Sequence, residues 1–255
     1  MRKSNDERGL RARRARSFGP HAADYAEHRP DYPAAGIRWA LEPVASEHIP
    51  TVLDLGAGTG KLTEGLLAVG ASVLAVEPDE AMRAELLRRH PEVTAHPGTA
   101  EAIPLPDASV DAVLAGQAFH WFDPERAFPE IARVLRTGGV FAALWNENDV
   151  RVAWVAGLNR LTQTAASVPG IQGADTLPPH PLFPSFDRAV FAHSQRRTAE
   201  SLAATIGTHS HTLVIPERDR TVLLDRITAY LRTTPETARG EFDLPLVTSV
   251  IRAVL

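Results

Sequence analysis

Three glycines and one acidic residue stand where they could hold a nucleoside. The glycines are Gly56, Gly58 and Gly60 of the segment Val52-Leu-Asp-Leu-Gly-Ala-Gly-Thr-Gly60, which begins as an apolar strand. Glycine permits positive φ and lets a ligand approach the backbone without meeting a Cβ atom. A second apolar strand ends at Glu77, where a carboxylate can accept hydrogen bonds from ribose hydroxyls. These residue types therefore predict a β-α-β unit that binds a nucleoside.

Two related glycine motifs fit this segment less well. A dinucleotide-binding unit has its third glycine one position later, where this chain has Lys61. A P-loop has Ser or Thr after its lysine, where this chain has Leu62. Lys61 is accordingly expected to be a solvated helix residue. A tight turn without a ligand is the remaining alternative, and the agreement of glycine spacing, acid and strand order disfavours it.

The elements that must position these residues alternate along the chain. Apolar runs predict strands at 51–55, 73–76, 93–96, 110–115 and 140–145, and helical periodicity predicts helices at 22–27, 33–45, 60–69, 78–89 and 123–135. Asp123 is expected to cap the last of these helices with its side chain, and residues 137–139 to form the turn into the fifth strand. Such alternation predicts an α/β fold with a parallel sheet and right-handed crossovers.

After Asn146 the pattern changes. Helices are predicted at 150–166, 199–206 and 216–233, and strands at 186–197 and 242–254. Between them, the Pro- and Gly-rich residues 169–184 are expected to form a loop or lid rather than a packed element. His209 and His211 form a pair at strand-like spacing with no third metal ligand nearby in the sequence. Both are expected at the surface or at a pocket rim, and no metal is predicted.

The composition of the chain excludes several kinds of site and argues against some classes of substrate. The chain has 255 residues, 44% of them hydrophobic, no cysteine and a net charge of −4. The lack of cysteine excludes disulfides, zinc–thiolate sites and cysteine nucleophiles, and the acidic balance argues against a nucleic-acid substrate. No apolar run approaches a membrane span, so we expect a cytoplasmic protein. Residues 1–17 are rich in arginine and are expected to be a basic, disordered tail, and the preference for arginine over lysine is typical of a GC-rich bacterial source.

The motifs together resemble a known enzyme family. The glycine segment and Glu77 are similar to the first two motifs of class I S-adenosylmethionine (SAM)-dependent methyltransferases with a type 11 methyltransferase domain. Ala118-Phe-His-Trp-Phe122 and Tyr25-x-x-x-Arg29-Pro-x-Tyr-Pro33 resemble segments of the trans-aconitate methyltransferase subgroup. The resemblance implies a Rossmann-like, doubly wound α/β fold. Its seven-stranded, mostly parallel sheet would have an antiparallel pair of C-terminal strands at one edge. The domain would also have an N-terminal helical arm and a lid insertion.

The resemblance also implies a division of the chain. One methyltransferase domain would cover residues 18–255. Within it, residues 18–50 would be the N-terminal arm and residues 51–146 the SAM-binding core. Residues 147–255 would supply the lid on the acceptor side and the closing strands.

The predicted cofactor is SAM, which becomes S-adenosylhomocysteine. Glu77 would hold the ribose, with a helix-start acid as its alternative role. Asp54 either binds the methionine ammonium group or caps N–H groups of its own loop. Thr99 stands where the family has an acid beside adenine, and Met82 and Ile103 either sandwich that ring or belong to the core. The other predicted cofactor contacts are Tyr25, Arg29, Gly56, Gly58, Gly60, Pro78, Ala100, Glu101 and Gln117.

The N-terminal arm and the segment after the fourth strand should complete the site. Arg29 would pair with the SAM carboxylate, and Tyr25 would lie above the sulfonium. The alternative is that Arg29 has a structural role only. His120 and Trp121 follow a parallel strand at its carboxyl end, where open sheets bind ligands, and are expected to line the acceptor site. His120 is the candidate general base, or it only shapes the pocket.

The predicted activity is methyl transfer to a small-molecule acceptor, at a carboxylate, hydroxyl, amine or carbon. The protein would be a monomer or homodimer that binds neither nucleic acid nor membrane. Two alternatives stay open. The fold could be repurposed for binding or for a reaction without methyl transfer, or the acceptor could be RNA or protein.

Overall fold

The computed structural model describes residues 22–45, 48–163 and 176–255. These residues divide into two compact units, which we describe separately. The first unit comprises residues 22–30, 147–163 and 192–247. The second unit comprises residues 31–45, 48–146, 176–191 and 248–255. The basic tail predicted at 1–17 and the first part of the predicted lid lie outside the described residues.

Strands and helices alternate along much of the described chain. The strands are β1 (Thr51–Leu55), β2 (Ser72–Val76), β3 (Thr94–His96), β4 (Val110–Gly116), β5 (Leu135–Asn148), β6 (Asp187–Arg197) and β7 (Phe242–Val254). The α-helices are α1 (Ala22–His28), α2 (Ala34–Leu41), α3 (Lys61–Ala68), α4 (Glu80–Arg89), α5 (Pro124–Val134), α6 (Ala153–Leu161), α7 (Ala199–Gly207), α8 (Ser210–Leu213) and α9 (Glu217–Thr233). Short 3-10 turns cover Glu42–Val44 and Phe119–Trp121.

The described strands form a seven-stranded sheet in the order β3-β2-β1-β4-β5-β7-β6. β1 pairs in parallel with both β2 and β4, and β4 pairs in parallel with β5. The sheet is mostly parallel, with antiparallel pairing at the C-terminal strands. The predicted α/β, Rossmann-like fold is therefore confirmed.

The sheet of the second unit is buried on both faces. Along β4, Val113 and Ala115 belong to one apolar cluster, whereas Ala112 and Leu114 belong to another. Successive strand residues point to opposite faces, so the two clusters lie on the two sides of the sheet. The apolar face of α5 packs into the first cluster, and those of α2 and α3 into the second. This double burial explains why the parallel strands read as continuous apolar runs.

The described part of the segment 169–184 is irregular, as the predicted loop or lid requires, but contrary to the prediction it packs against the core. Phe183 is completely buried, and its ring lies 5.4 Å from that of Phe128 and 5.9 Å from that of Phe141. Proline and glycine correctly indicated irregular backbone there. The sequence pattern did not indicate packing, because an irregular segment can bury an aromatic side chain as completely as a helix can.

The first unit has its own apolar core. Residues from α6, α7, α9 and the first half of β7 pack together, including Trp154, Ile206 and Ile227. The hydroxyl of Tyr230 donates to the carbonyl of Trp154 at 2.8 Å, which ties α9 to α6. Gly157 faces the Tyr230 ring so closely that any side chain at this position would collide with it.

Two local predictions differ from the structure. The turn predicted at 137–139 is an irregularity within β5, because Leu135 already pairs with Val110 before Val140 pairs with Ala112. The helix predicted at 150–166 is shorter, since α6 begins at Ala153 and ends at Leu161.

Within the described residues, no helix combines the length and apolar character that a membrane crossing requires.

Candidate functional site

The glycine turn between β1 and α3 has one open glycine and two packed ones. A Cβ atom on Gly56 would lie 2.8 Å from the Cβ of Ala118, so this glycine lets the turn approach the segment after β4. A Cβ atom on Gly60 would lie 2.9 Å from the His90 ring, so this glycine lets the turn approach the end of α4. Both glycines serve packing between segments rather than access for a ligand.

Gly58 is the open position. Its φ is +57°, and a Cβ atom there would have a single neighbour within 4 Å among the described residues, the Met82 methyl group at 3.4 Å. Met82 is itself buried and flexible at its end. The predicted approach of a ligand without a Cβ in its way therefore applies to Gly58 and not to its two neighbours.

Glu77 connects the end of β2 to the glycine turn. One carboxylate oxygen accepts from the Gly58 N–H and the other from the Asp79 N–H, both at 2.8 Å. Burial raises the pKa of Glu77 above its ordinary value, against the opposing effect of these two N–H groups. Capping of α4 falls to Asp79, whose side chain accepts from two N–H groups of the first turn. Glu77 is therefore not the helix-start acid, and Pro78 lies exposed between the two acids.

Asp54 is a completely buried carboxylate. Its Oδ2 accepts from the Thr63 hydroxyl at 2.6 Å, whereas Oδ1 has no hydrogen-bond donor among the described residues. Burial raises the pKa of Asp54 from 3.8 to about 7, although the Thr63 hydrogen bond opposes the shift. The backbone N–H of Thr63 also acts on this carboxylate and lowers its pKa, so both predicted roles of Asp54, capping and ammonium binding, remain predictions. A buried carboxylate oxygen without a donor is costly and fits an ammonium group or a water.

Residues 99–103, which include residues expected to contact adenine, are anchored to neighbouring segments by hydrogen bonds. Thr99 is exposed and Ala100 buried, whereas Ile103 belongs to the core and donates its N–H to Glu130 at 2.8 Å. Glu101 accepts from the Asp123 N–H at 2.8 Å. This contact ties the segment to the one that follows β4, a structural role that the resemblance did not indicate. Ile103, one of the two residues expected either to sandwich adenine or to belong to the core, is therefore part of the apolar core.

Gln117 lies just past β4 in a backbone conformation that non-glycine residues rarely adopt, with a φ of +52°. Its side-chain amide donates to the carbonyl of Asn146 at 2.7 Å, at the end of the neighbouring strand β5. Asn146 in turn accepts from the Thr248 hydroxyl at 2.5 Å and donates to the carbonyl of Asp31 at 3.1 Å. Strained residues held by their surroundings concentrate at functional sites, which makes this the second focus of the site.

His120 and Trp121 form the 3-10 turn after Gln117. Both are half-buried, with ring centroids 4.6 Å apart. The neighbouring Phe119 and Phe122 are buried in the core and hold the turn in place. The two candidate acceptor-side residues are thus presented on a short, well-anchored turn at the carboxyl end of β4.

Two predictions near the site are wrong. The side chain of Asp123 makes no capping hydrogen bond to α5; its backbone is held by Glu101 instead. Lys61 is not solvated, because its ammonium group pairs with Asp31 at 2.8 Å and its side chain is only 14% exposed. Thr63, Asn146 and Thr248 were not predicted, since their roles depend on contacts with residues distant in sequence.

Tyr25 and Arg29 belong to the first unit. The Arg29 guanidinium lies 4.6 Å from the centre of the Tyr25 ring and donates to the carbonyl of Thr208 at 3.0 Å. Its Nε is buried without a hydrogen-bond partner in the described residues. The predicted arm residues thus contact each other, and a donor of Arg29 is left over for a ligand.

Of the pair His209 and His211, the first is half-buried and the second is not at the surface. His211 is buried, and the two rings pack edge to face with centroids 5.4 Å apart. The described ranges contain no cluster of three or more metal-ligating side chains. The prediction of a surface or rim position is therefore wrong for His211.

Comparisons with known proteins identify the family. Residues 53–143 match the family described as "Methyltransferase domain". An uncharacterized methyltransferase of Mycobacterium tuberculosis is 41% identical over 94% of this chain and 96% of its own length. An uncharacterized methyltransferase of Schizosaccharomyces pombe is 33% identical over 86% of this chain and 89% of its own length. The fold, the glycine turn and these similarities show that the chain belongs to the class I SAM-dependent methyltransferases.

Two further similarities extend the comparison. A solved structure from Anaeromyxobacter dehalogenans, described as a candidate type II methyltransferase, superposes with a TM-score of 0.65 at 33% identity and covers 88% of this chain and 97% of that one. A malonyl-[acyl-carrier protein] O-methyltransferase of Methylococcus capsulatus is 39% identical over 48% of this chain and 46% of its own length. The family's cofactor is SAM.

Proposed function

We propose that this protein transfers a methyl group from SAM to a small-molecule acceptor. The observation that carries the proposal is the pair of buried carboxylates, Asp54 and Glu77, at the carboxyl ends of neighbouring parallel strands beside the open face of Gly58. SAM carries positive charge on its sulfonium and ammonium groups, and buried acids stabilise a nearby cation. The residues present therefore fit the cofactor.

Each of these groups has capacity left for a ligand. A carboxylate has about four acceptor sites, and each oxygen of Glu77 uses one for a backbone N–H, so ribose hydroxyls can still donate to it. Asp54 offers Oδ1 to the ammonium group directly or through water. The roles of Arg29 and Tyr25 in binding SAM stay predictions from the family resemblance. Met82 and the backbone around Ala100 would border adenine.

SAM supplies a methyl group that its positively charged sulfur already activates. What remains for the protein is to orient an acceptor, an effect that can contribute about 7–11 kcal/mol, and to remove a proton where the acceptor has one. Gln117 would hold the region of the reacting groups, because Asn146 fixes its amide. His120 is the candidate base for a hydroxyl acceptor, and Trp121 would bound the acceptor.

We further propose that a carboxylate is the acceptor to test first. The subgroup that the Tyr25–Pro33 and Ala118–Phe122 segments resemble methylates an acid, and the name of the Methylococcus capsulatus relative also refers to methylation at oxygen. A carboxylate is ionised at neutral pH, so it needs no base. The net charge of −4 favours a small acceptor over a nucleic acid.

Calorimetric titration of the purified chain with SAM and with S-adenosylhomocysteine tests the proposal. Micromolar binding of both would support the cofactor site. Transfer of a labelled methyl group to members of a panel of small acids, phenols and amines would then support the activity. A well-folded protein that binds neither nucleoside would contradict the proposal and favour a repurposed fold.

A further inference from the structure

The first unit contains a cavity that the proposed reaction does not use. It has a volume of about 200 Å³ and lies among the end of α1, the end of α7, the turn that follows it, α8 and α9. Three apolar residues form one part of its wall, Ala204, Leu213 and Leu224. The polar part consists of His28, Thr208 and Arg220. A mixed wall of this kind is typical of a site for a small amphipathic ligand.

Arg220 is the charged group of this wall. Among the described residues, its half-buried guanidinium makes no hydrogen bond and no ion pair. The part of the chain that the structure describes contributes no carboxylate to the cavity wall. Other half-buried arginines of the chain do have partners; Arg133, for example, pairs with Glu130 at 2.8 Å. An arginine withdrawn from water without a partner is unfavourable, so an anion that entered the cavity would satisfy it.

The other two polar residues have limited capacity. Thr208 already donates its hydroxyl to the carbonyl of Thr205 at 2.7 Å, and its own carbonyl accepts from Arg29 at 3.0 Å. The carbonyl of His28 accepts from both Arg197 and Thr205, which leaves the imidazole as the group that His28 can offer to a ligand. The donors available in the cavity are therefore Arg220 and the His28 ring.

Gly207 keeps the space in front of Arg220 open. A Cβ atom at this position would lie 3.6 Å from Nη2 of Arg220 and 3.6 Å from a methyl carbon of Leu224. Both distances are ordinary van der Waals contacts, so alanine would fit and a larger side chain would occupy the cavity. Gly207 thus permits a graded steric test of the site.

We propose that this cavity binds the carboxylate end of a small aliphatic acid. The planar guanidinium of Arg220 matches a carboxylate in a bidentate pair. The wall formed by Ala204, Leu213 and Leu224 takes the hydrocarbon part, which an inorganic anion lacks. The proposal goes beyond methyl transfer, because it concerns a ligand site in the first unit whose residues belong to no part of the proposed SAM site.

Binding of butyrate and hexanoate to the full chain, without SAM, tests this site. We would measure affinities by calorimetry or by ligand-detected NMR, with hexanamide as the uncharged control and inorganic phosphate as the anion without an apolar part. Both acids are expected to bind, and hexanamide and phosphate to bind at least tenfold more weakly than hexanoate. Equal binding of the amide or of phosphate would overturn the proposal, and so would failure of both acids to bind.

Variants separate the pocket from the rest of the protein. Arg220→Gln should weaken hexanoate binding at least tenfold, and Gly207→Leu should abolish it, whereas Gly207→Ala should preserve it. Arg226→Gln is the matched control, because Arg226 is exposed on the same helix and does not line the cavity. Hexanoate binding that survives Arg220→Gln would contradict the assignment. A Gly58→Ala variant should bind hexanoate normally, so failure of the SAM proposal would not affect this result.

Discussion

The backbone N–H of Gly58 donates to the carboxylate of Glu77 at 2.8 Å. This hydrogen bond joins the glycine that has an open face to the acid that ends the second strand. It therefore fixes the two groups of the proposed cofactor site relative to each other before any ligand binds. Preorganised polar groups of this kind are typical of binding sites, because a ligand then need not order them.

Gly58→Ala should weaken SAM binding at least tenfold while the protein stays folded. The new Cβ atom would project into the open face, where Met82 is its single neighbour within 4 Å in the described residues. Alanine at positive φ destabilises the fold by about 1–2 kcal/mol. Calorimetry would give the affinity, and urea unfolding the stability.

Gly138→Ala is the matched control for that variant. Gly138 has a φ of +77°, and a Cβ atom there would meet nothing within 4 Å in the described residues. It should therefore destabilise the fold to a similar degree and leave SAM binding unchanged. Equal effects of the two variants on affinity would mean that Gly58 does not face the cofactor.

Glu77→Gln should weaken SAM binding by about 1.5–3 kcal/mol, as expected for loss of hydrogen bonds to a charged group. Glutamine keeps one acceptor oxygen, so only one of the two loop N–H groups would stay satisfied. Glu80→Gln, at an exposed position on the first turn of α4, is the control and should bind SAM normally. Unchanged affinity in Glu77→Gln would mean that the ribose is held elsewhere.

Asp54 should make the fold less stable as the pH rises from about 4 to 7. Its pKa is about 7 in the folded chain against 3.8 when exposed, so the folded state holds the extra proton in this range. The stability contributed by the protonated acid is fully present below pH 4 and is lost by pH 7, a difference of about 4 kcal/mol. Urea unfolding of the wild type and of Asp54→Asn between pH 4 and 8 would measure it. Parallel pH profiles of the two proteins would refute the shift.

The same carboxylate should make SAM binding depend on pH in the opposite direction. The ammonium group of SAM favours the ionised form of Asp54, so affinity should rise between pH 5.5 and 7.5 as this proton leaves. Asp54→Asn should bind SAM more weakly and lose most of this dependence. A wild-type affinity that stays constant over the range would place the ammonium group away from Asp54.

His120→Asn should affect turnover in a manner that depends on the acceptor. If His120 removes a proton, kcat with a phenol or alcohol acceptor should fall by about 10²–10⁴-fold, the usual contribution of a general base. The Kd for SAM should stay the same. With a carboxylate acceptor, which has no proton to lose, kcat should change little. An equal loss with both kinds of acceptor would indicate that His120 shapes the pocket instead.

Local sequence determined the core of the fold. The strand at Thr51–Leu55, the helix Glu80–Arg89 and the helix Glu217–Thr233 were predicted to within two residues. Apolar runs, proline and glycine act on their immediate neighbours, so their effects can be read without knowledge of the remaining chain. The resemblance of the glycine turn and Glu77 to a methyltransferase rests on the same short-range pattern.

Tertiary structure decided which of these residues could meet a ligand. The three glycines look equivalent in sequence, but Ala118 and His90 close off two of them and leave Gly58 open. Glu101 was expected to contact the cofactor, which stays a prediction, and packing also brings its carboxylate to the Asp123 backbone, a contact that the local sequence did not indicate.

Burial and charge also depend on tertiary structure rather than on local sequence. The sequence alone identified Asp54 as an acid at the glycine turn. Only the folded chain excludes water from that carboxylate and thereby raises its pKa, against the opposing effect of the Thr63 hydrogen bond. Partners distant in sequence and exclusion of water depend on how the elements pack, which no local pattern of residues specifies.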